Sequence, residues 1–522
     1  MIFQLENKQL FSRSMLWKLQ RQYFEKKGSD AWRMGEVPHY VTSNQRIANS
    51  YAEMIFHFYK DSRNRIQTDI PEPLYILEAG AGSGRFGFYL VKKLHLLCDQ
   101  ENIPHNTFCY IFSDFTQRNP DAWKAHPSLQ TYLADGSIDI ALFDMMQQEA
   151  ISLQVSGKRI DVNSLTFPLV FITNYVFDSV PQELYYTENG NCHACTVSLF
   201  AKGDPAGLSA AALLEDITCT YDHNIHTVHR YEESWLNDVL SVYTENIPKG
   251  YFFFPEAGMR SLSHLRSFSK TGMMVLTADK GSHEIHQSAF IDPPEIVKHG
   301  SFSLTVNYHA LSVYAIQSGG SDLFPSHQYG SINTGCLAFI DDLEQQYPQT
   351  LAAFSKHIDN AGPDDYFTLY QYLVTDINHM PLKVILSLLR FSMYDSHMLG
   401  VCLPRLEVLG PEISKHEKED LVNAIAACWD NYFPLGEKRD LANRIATFFY
   451  QIDIFDWAAF YFKMSADIYG NEPATLFNIA ACYHQLDEID NAKIILDIVL
   501  ARQPDNKEAY ALLQNINSTV PK

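Results

Sequence analysis

Glu78, Gly80, Gly82 and Gly84 occupy alternate positions in the stretch ILEAGAGSGRFGFYL, an acidic side chain followed by three glycines. Glycines at that spacing let the backbone turn sharply and bring N–H groups against a ligand. The chemistry on offer is the cradling of a small polar molecule, with the acidic side chain ordering the loop or meeting a cationic group. The elements needed to hold such a turn flank it. Residues 74–77 form an apolar run that reads as a buried parallel strand, and 86–97 are apolar enough for the helix that follows. A ligand at that turn sits near the positive end of the helix. A dinucleotide fingerprint, G-x-G-x-x-G, carries its acidic partner about twenty residues downstream. Here the acid lies inside the motif, so the ligand expected is of a different kind.

Three more strands are expected. TFCYIFSDF closes on Asp114, placed either to accept hydrogen bonds from two ribose hydroxyls or to cap the following helix. LQTYLADG is read as a third strand ending at Asp135 and Gly136, where the adenine edge of a nucleotide would lie. In FPLVFITNYVFDSVP, residues 169–173 are a fourth strand opening into a loop with Asn174, Tyr175, Asp178 and Pro181. Alternation of strands with helices predicts a doubly wound sheet with its ligand at the carboxyl ends of the strands.

The chain has 522 residues, too many for one core. Its net charge of −21 and the absence of any Lys/Arg-rich run argue against a nucleic-acid partner. No apolar stretch is long enough to span a bilayer and no signal-type leader is evident, so a cytoplasmic protein without a membrane partner is expected. Nine scattered cysteines fit reduced thiols. Cys192 and Cys195 lack a second pair and read as part of a surface hairpin, and His223, His226 and His229 read as polar loop residues, so no metal site is expected.

Residues 184–340 continue in strand-like pieces, of which GSFSLTVNYHALSVYAIQSGG reads as a strand entering a helix. Beyond about 340 the sequence is helical in period. Ile479, Ala480, Tyr483, Ala492, Leu496 and Pro504 fall at tetratricopeptide spacings, and a shift of 34 residues lands on Ile445, Ala446, Phe449, Ala458, Phe462 and Gly470. A segment at 507–516 would cap the array. Two repeats are too few to stand alone, so they are expected to stack on helices within 341–440. A plain helical bundle with core spacing is the other reading.

The E-x-G-x-G-x-G pattern resembles motif I of class I S-adenosylmethionine (SAM) methyltransferases. Four stretches in order resemble one subgroup, the MidA family, to which an arginine methyltransferase of mitochondrial complex I assembly belongs. HYVTSNQRIANSYAEMI, from His39, is similar to that family's N-terminal segment at Tyr40, Thr42, Ser43 and Glu53. ILEAGAGSGRFG is similar to its motif I. TNYVFDSVP keeps Asn174, Phe177, Asp178 and Pro181, and SLTVNYHALSVYAIQSGG is similar to a later segment. The family places ionisable residues where this chain has Tyr175, Thr305 and Asn307. Carboxylates suit a guanidinium's planar fork, so their loss counts against arginine as acceptor.

The resemblance, which covers roughly residues 10–340, implies an α/β fold, a Rossmann-like class I methyltransferase sheet with a helical N-terminal segment and inserted elements; the repeat spacing outside it predicts an all-α tetratricopeptide-like domain to follow. The boundaries expected are 1–70, 71–340, 341–440 and 441–522. SAM would be the cofactor. Gly80, Gly82 and Gly84 would hold its methionine moiety with Glu78 ordering the loop, Asp114 the ribose, and Asp135 with Gly136 the adenine edge. Thr42 and Ser43 would line the pocket together with Pro181. Asp178 and Asn174 would face the acceptor, Asp178 as orienting group or base unless it only caps its loop. Tyr175 would contact the acceptor or anchor the loop, and His309 is a replacement base or a structural histidine. The function expected is methyl transfer to a protein side chain recruited by the helical repeats. The alternatives are an inactive scaffold acting through those repeats and a small-molecule methyltransferase.

Overall fold

The computed structural model describes residues 2–28, 30, 40–66, 72–147, 149–223 and 231–519. Its centre is a seven-stranded sheet. The strands are β1 (Leu74–Glu78), β2 (Phe108–Asp114), β3 (Ile138–Leu142), β4 (Leu169–Asn174), β5 (Met273–Asp279), β6 (Ser321–Leu323) and β7 (Asn333–Phe339). Their order is β3-β2-β1-β4-β5-β7-β6. The first five are parallel, and β7 runs antiparallel to both β5 and β6. β1, β2 and β5 are buried along their whole length, as strands covered on both faces must be. The strand order reverses between β1 and β4, and doubly wound sheets open a crevice at such a point.

Four helices matter to that crevice: α1 (Met15–Lys27), α2 (Gln45–Arg65), α3 (Arg85–Glu101) and α4 (Arg118–Ala125). Ser14 starts α1 by accepting a hydrogen bond from the Leu16 amide, and its own hydroxyl donates to Glu6. α2 lies along α3, with Tyr51 meeting Phe86 edge to face at 5.7 Å. α3 starts from Gly84, which adopts φ +80°. One turn on, a Cβ at Gly87 would come within 2.4 Å of Phe112 on β2, so this glycine permits close helix–sheet packing.

The third strand differs from expectation. Residues Gln130–Ala134 form a short helix, Asp135 ends it, and Gly136 (φ +82°) turns the chain into β3. The strand itself, IDIAL, carries a buried aspartate that strand propensity disfavours. Asp139 is accommodated because its carboxylate accepts N–H groups from Val155 (2.9 Å) and Ser156 (3.0 Å).

Between β4 and β5 the chain builds two further antiparallel sheets. One contains the hairpin Glu183–Glu188 and Asn191–Ala194, turned at Asn189-Gly190 with both residues at positive φ. Cys192 and Cys195 are buried free thiols there rather than surface groups. The other sheet pairs the N-terminal strand Ile2–Leu10 with Thr196–Lys202. The segment resembling a strand entering a helix is one: Val306–Asn307 leads into α5 (Tyr308–Gln317).

The chain divides into two compact units, Met1–Thr368 and Leu369–Lys522. The stretch 341–368, expected to open a separate connecting region, therefore belongs to the first unit. There the Thr350 amide and hydroxyl both donate to Asp61 of α2 (2.9 and 2.8 Å). The second unit is helical. Leu441–Gln451, Phe455–Tyr469, Pro473–Gln485, Ile489–Arg502 and Lys507–Thr519 follow one another through short turns. Of the twelve residues at the expected spacing, nine are buried in its core, Ile445, Ala446, Phe449, Ala458, Phe462, Ile479, Ala480, Ala492 and Leu496, whereas Tyr483 is half-buried and Gly470 and Pro504 are exposed. Two of the corners between these helices share one backbone geometry. Asp453 and Asp487, 34 positions apart, both take the left-handed conformation (φ +59° and +61°). Each is followed by the same closing bond, Ile454 N–H to Phe449 O and Glu488 N–H to Tyr483 O, both 2.9 Å.

Candidate functional site

At the carboxyl ends of β1–β4 lies a cavity of about 540 Å³, a volume suited to a small-molecule ligand. Ala79 and Gly80 form its floor where β1 enters the glycine turn. Gly80, Gly82 and Gly84 all have positive φ (+62°, +56° and +80°). The turn is tied down by backbone and ring: Ala81 N–H donates to Ser113 O (3.0 Å), and the Trp123 indole N–H of α4 donates to Gly82 O (3.1 Å).

Two acids belong to this end of the sheet. Glu78 is 5% exposed, and burial pushes its carboxyl up to about 8. Its Oε2 is buried without a hydrogen-bond partner, an arrangement that favours a donor arriving with a ligand. Asp114 lines the cavity. β2 pairs Phe112 with Glu78, so Asp114 projects two residues past the end of β1. Its Oδ1 accepts from the Thr116 amide (2.9 Å) and its Oδ2 from Asn119 Nδ2 (2.7 Å). These bonds fix the carboxylate and leave each oxygen a further lone pair. Asp114 closes this turn rather than capping α4, whose N-cap is Gln117.

Asp135 and Gly136 do not reach the site. They precede β3 and therefore sit at the amino edge of the sheet, whereas the cavity is at the carboxyl edge. The acid on the correct side is Asp144, just after β3, with Phe143, Met145 and Met146 beside it in the wall. Its Oδ2 accepts from Arg21 Nη1 (2.7 Å) and its Oδ1 from the Met146 amide (3.0 Å). The Arg21 guanidinium lies 4.5 Å over the Phe115 ring. Arg21 comes from α1, which also contributes Trp17, Gln20 and Phe24 to the wall. Nothing local in the sequence ties this helix to the glycine turn.

The fourth side comes from the loop after β4. Tyr175, Val176, Ser179, Val180 and Pro181 line the cavity. Tyr175 holds a left-handed backbone (φ +53°), costly for an aromatic residue, with its N–H bonded to Ala278 O at 3.1 Å. Burial raises its hydroxyl's pKa, with Asp279 and Asp178 adding to the shift. Asn174 accepts from the Tyr51 hydroxyl (3.0 Å) and donates to Thr42 O (3.5 Å). Thr42 thus meets the end of β4 through Asn174 and is not among the wall residues; nor is Ser43. His39, where the resembling segment begins, lies outside the described residues.

Asp178 is not in the cavity wall either. It is buried against Asp279, the last residue of β5: its N–H donates to Asp279 Oδ2 (3.2 Å), and its carboxyl accepts from Ser179 Oγ (2.8 Å). Burial raises both carboxyls, and their mutual repulsion raises Asp279 further, so the pair retains a proton at pH values where isolated aspartates have none. Asp279 ends its strand as Asp114 ends β2, a signal legible in the stretch MMVLTAD.

His309 is likewise part of the scaffold. Its Nδ1 lies 2.8 Å from the Tyr243 hydroxyl, which donates to Asn307 Oδ1 (2.9 Å). Asn307 caps α5 through the Ala310 amide (3.1 Å) and donates to Phe253 O (2.8 Å). This network belongs to the inserted sheet, and Thr305 is exposed. His223 stacks on Tyr186 at 4.0 Å, whereas His226 and His229 lie outside the described residues.

No protein-family model and no curated protein matches the chain. Among solved structures, it is similar to a Burkholderia thailandensis superfamily member named as a candidate methyl transferase and bound to S-adenosyl-homocysteine. The two are 14% identical, 68% of this chain and 85% of that one are covered, and the TM-score is 0.39. A second, uncharacterized protein of the same superfamily and organism is also 14% identical, with 61% and 73% covered and a TM-score of 0.36. Overlays this loose transfer no ligand to the present chain.

Proposed function

We propose that this chain is a SAM-dependent methyltransferase that acts on a protein side chain recruited by its tetratricopeptide-like C-terminal helices. The observation that carries the reading is a cavity lined by Gly80 and by an immobilised Asp114, where a turn with three glycines at positive φ leaves β1; Glu78, whose Oε2 has no hydrogen-bond partner, stands at the root of that turn and not in the cavity wall. The residues fit the cofactor in kind. Asp114 offers two acceptors to a ribose. The Glu78 carboxyl lacks a donor of the type an ammonium group provides. Phe115, Phe143 and Met145 offer an apolar slot for a purine, with Asp144 at its edge.

When bound, SAM supplies a methyl group on a sulfonium, ready for in-line displacement. The protein's own work is then alignment and exclusion of water. The face of α1 closes one side of the cavity, and Arg21 fastens it to Asp144. Asp178 serves as a positioning residue: with Asp279 it fixes the loop that presents Tyr175 and Ser179. Proton removal from the acceptor is not assigned to it, since it does not line the cavity.

That same placement of Asp178 favours a second reading, a scaffold with a vestigial cofactor site. Calorimetric titration with SAM and with S-adenosyl-homocysteine separates the two. Micromolar binding, lost in Asp114→Ala, is the expected result. Absence of binding to the intact chain overturns the enzyme reading and leaves the scaffold.

A further inference from the structure

At the opposite edge of the sheet from the cavity, we infer that His95, His105 and Asp135 form a surface site for a single divalent transition ion of the zinc type. The three come from separate places: the last turns of α3, the turn that follows it, and the Asp135-Gly136 turn into β3. One ligand atom from each lies within 4.8 Å of the other two. The imidazole rings of His95 and His105 face each other at 3.9 Å.

What sets this cluster apart from a chance grouping is that each of the three side chains is held by a neighbour, and with both Nε2 atoms so engaged the Nδ1 atoms are the ones assigned to the ion. His105 Nε2 lies 2.8 Å from Asp99 Oδ1, and His95 Nε2 lies 2.8 Å from Ser137 Oγ. Asp135 Oδ1 accepts the Ser137 amide (2.9 Å), which leaves its second oxygen outside that bond. A carboxylate or hydroxyl holding the far nitrogen of an imidazole is the usual outer shell of a metal-bound histidine. Two imidazoles and one carboxylate suit a borderline ion such as zinc, and the half-exposed setting leaves room for water as a further ligand. Zinc–ligand bonds of about 2.0–2.2 Å need the donor atoms roughly 3.4 Å apart. Binding therefore draws the three together, the stacked His95 and His105 rings opening and the exposed Asp135 closing in on them. The bound ion would reinforce the His95–Ser137 bond that already joins α3 to the start of β3.

The test is a zinc titration of the full-length protein against a chromogenic chelator, for wild type, His105→Ala and Asp135→Asn. One zinc per chain is expected, weakened about ten-fold or more in each variant, with a zinc-dependent rise in Tm that both variants lose. Cobalt substitution should give a visible spectrum without a thiolate charge-transfer band. No stoichiometric binding, binding unchanged in both variants, or a thiolate band overturns the assignment. Matching circular dichroism of the three apo proteins checks that the variants fold.

Discussion

The two edges of the central sheet each carry an aspartate next to a turn, and they are built for different purposes. Asp114, at the carboxyl edge, is 3% exposed, with both oxygens held by Thr116 and Asn119. Asp135, at the amino edge, is exposed and held through one oxygen by its own turn. In sequence the two look alike, an acid closing an apolar run. The difference lies in strand direction: a group reaches the crevice of a parallel sheet only from the end where the strand finishes.

The sharpest way to break this comparison is to neutralise both ends in turn. Asp114→Ala should weaken SAM binding by about 100-fold or more, the loss of two charge-assisted hydrogen bonds. Asp135→Asn should change it less than about two-fold. Calorimetry reads both, and equal losses would erase the distinction. Next in size, Gly87→Val should cost about 2–3 kcal/mol of stability by driving a side chain into Phe112 and Tyr110. Urea denaturation measures it.

A third contrast uses pH. The folded Asp178–Asp279 pair binds protons more tightly than the unfolded chain does, Asp178 being pushed up to about 7 by burial. Between the ordinary aspartate range and that value the native state holds the extra proton, so stability is fully present at low pH and falls as pH rises. Asp279→Asn should flatten this fall by about 1–2 kcal/mol between pH 5 and 7.5. A parallel slope in the variant would remove the shared proton from the account. The smallest effect is expected from Arg21→Ala. Releasing α1 from Asp144 should weaken SAM binding about five-fold while leaving the glycine turn untouched.

What could be read from the sequence was local. The strand, glycine turn and helix from Leu74 onward, Asp114, and the loop from Asn174 to Pro181 are contiguous stretches in which spacing fixes geometry. The third strand is not legible in the sequence, because LQTYLADG shows mixed apolar character with a glycine stop, while the strand itself hides a buried Asp139 whose cost is offset by amides 16 and 17 residues on. Arg21 and Trp17 were beyond reach for another reason. Their partners lie across the fold, and no spacing rule links a helix at residue 20 to an acid at 144. The burial of Asp178 against Asp279 is a long-range fact of the same sort.

The repeated corner at Asp453 and Asp487 has a consequence for folding. The two hairpins with these corners are each closed by a left-handed residue and a local backbone bond, and the first corner is also held from outside by Lys418 at Ile452 O. A local bond of this kind forms between residues five apart, so each corner can set before the helices around it have packed.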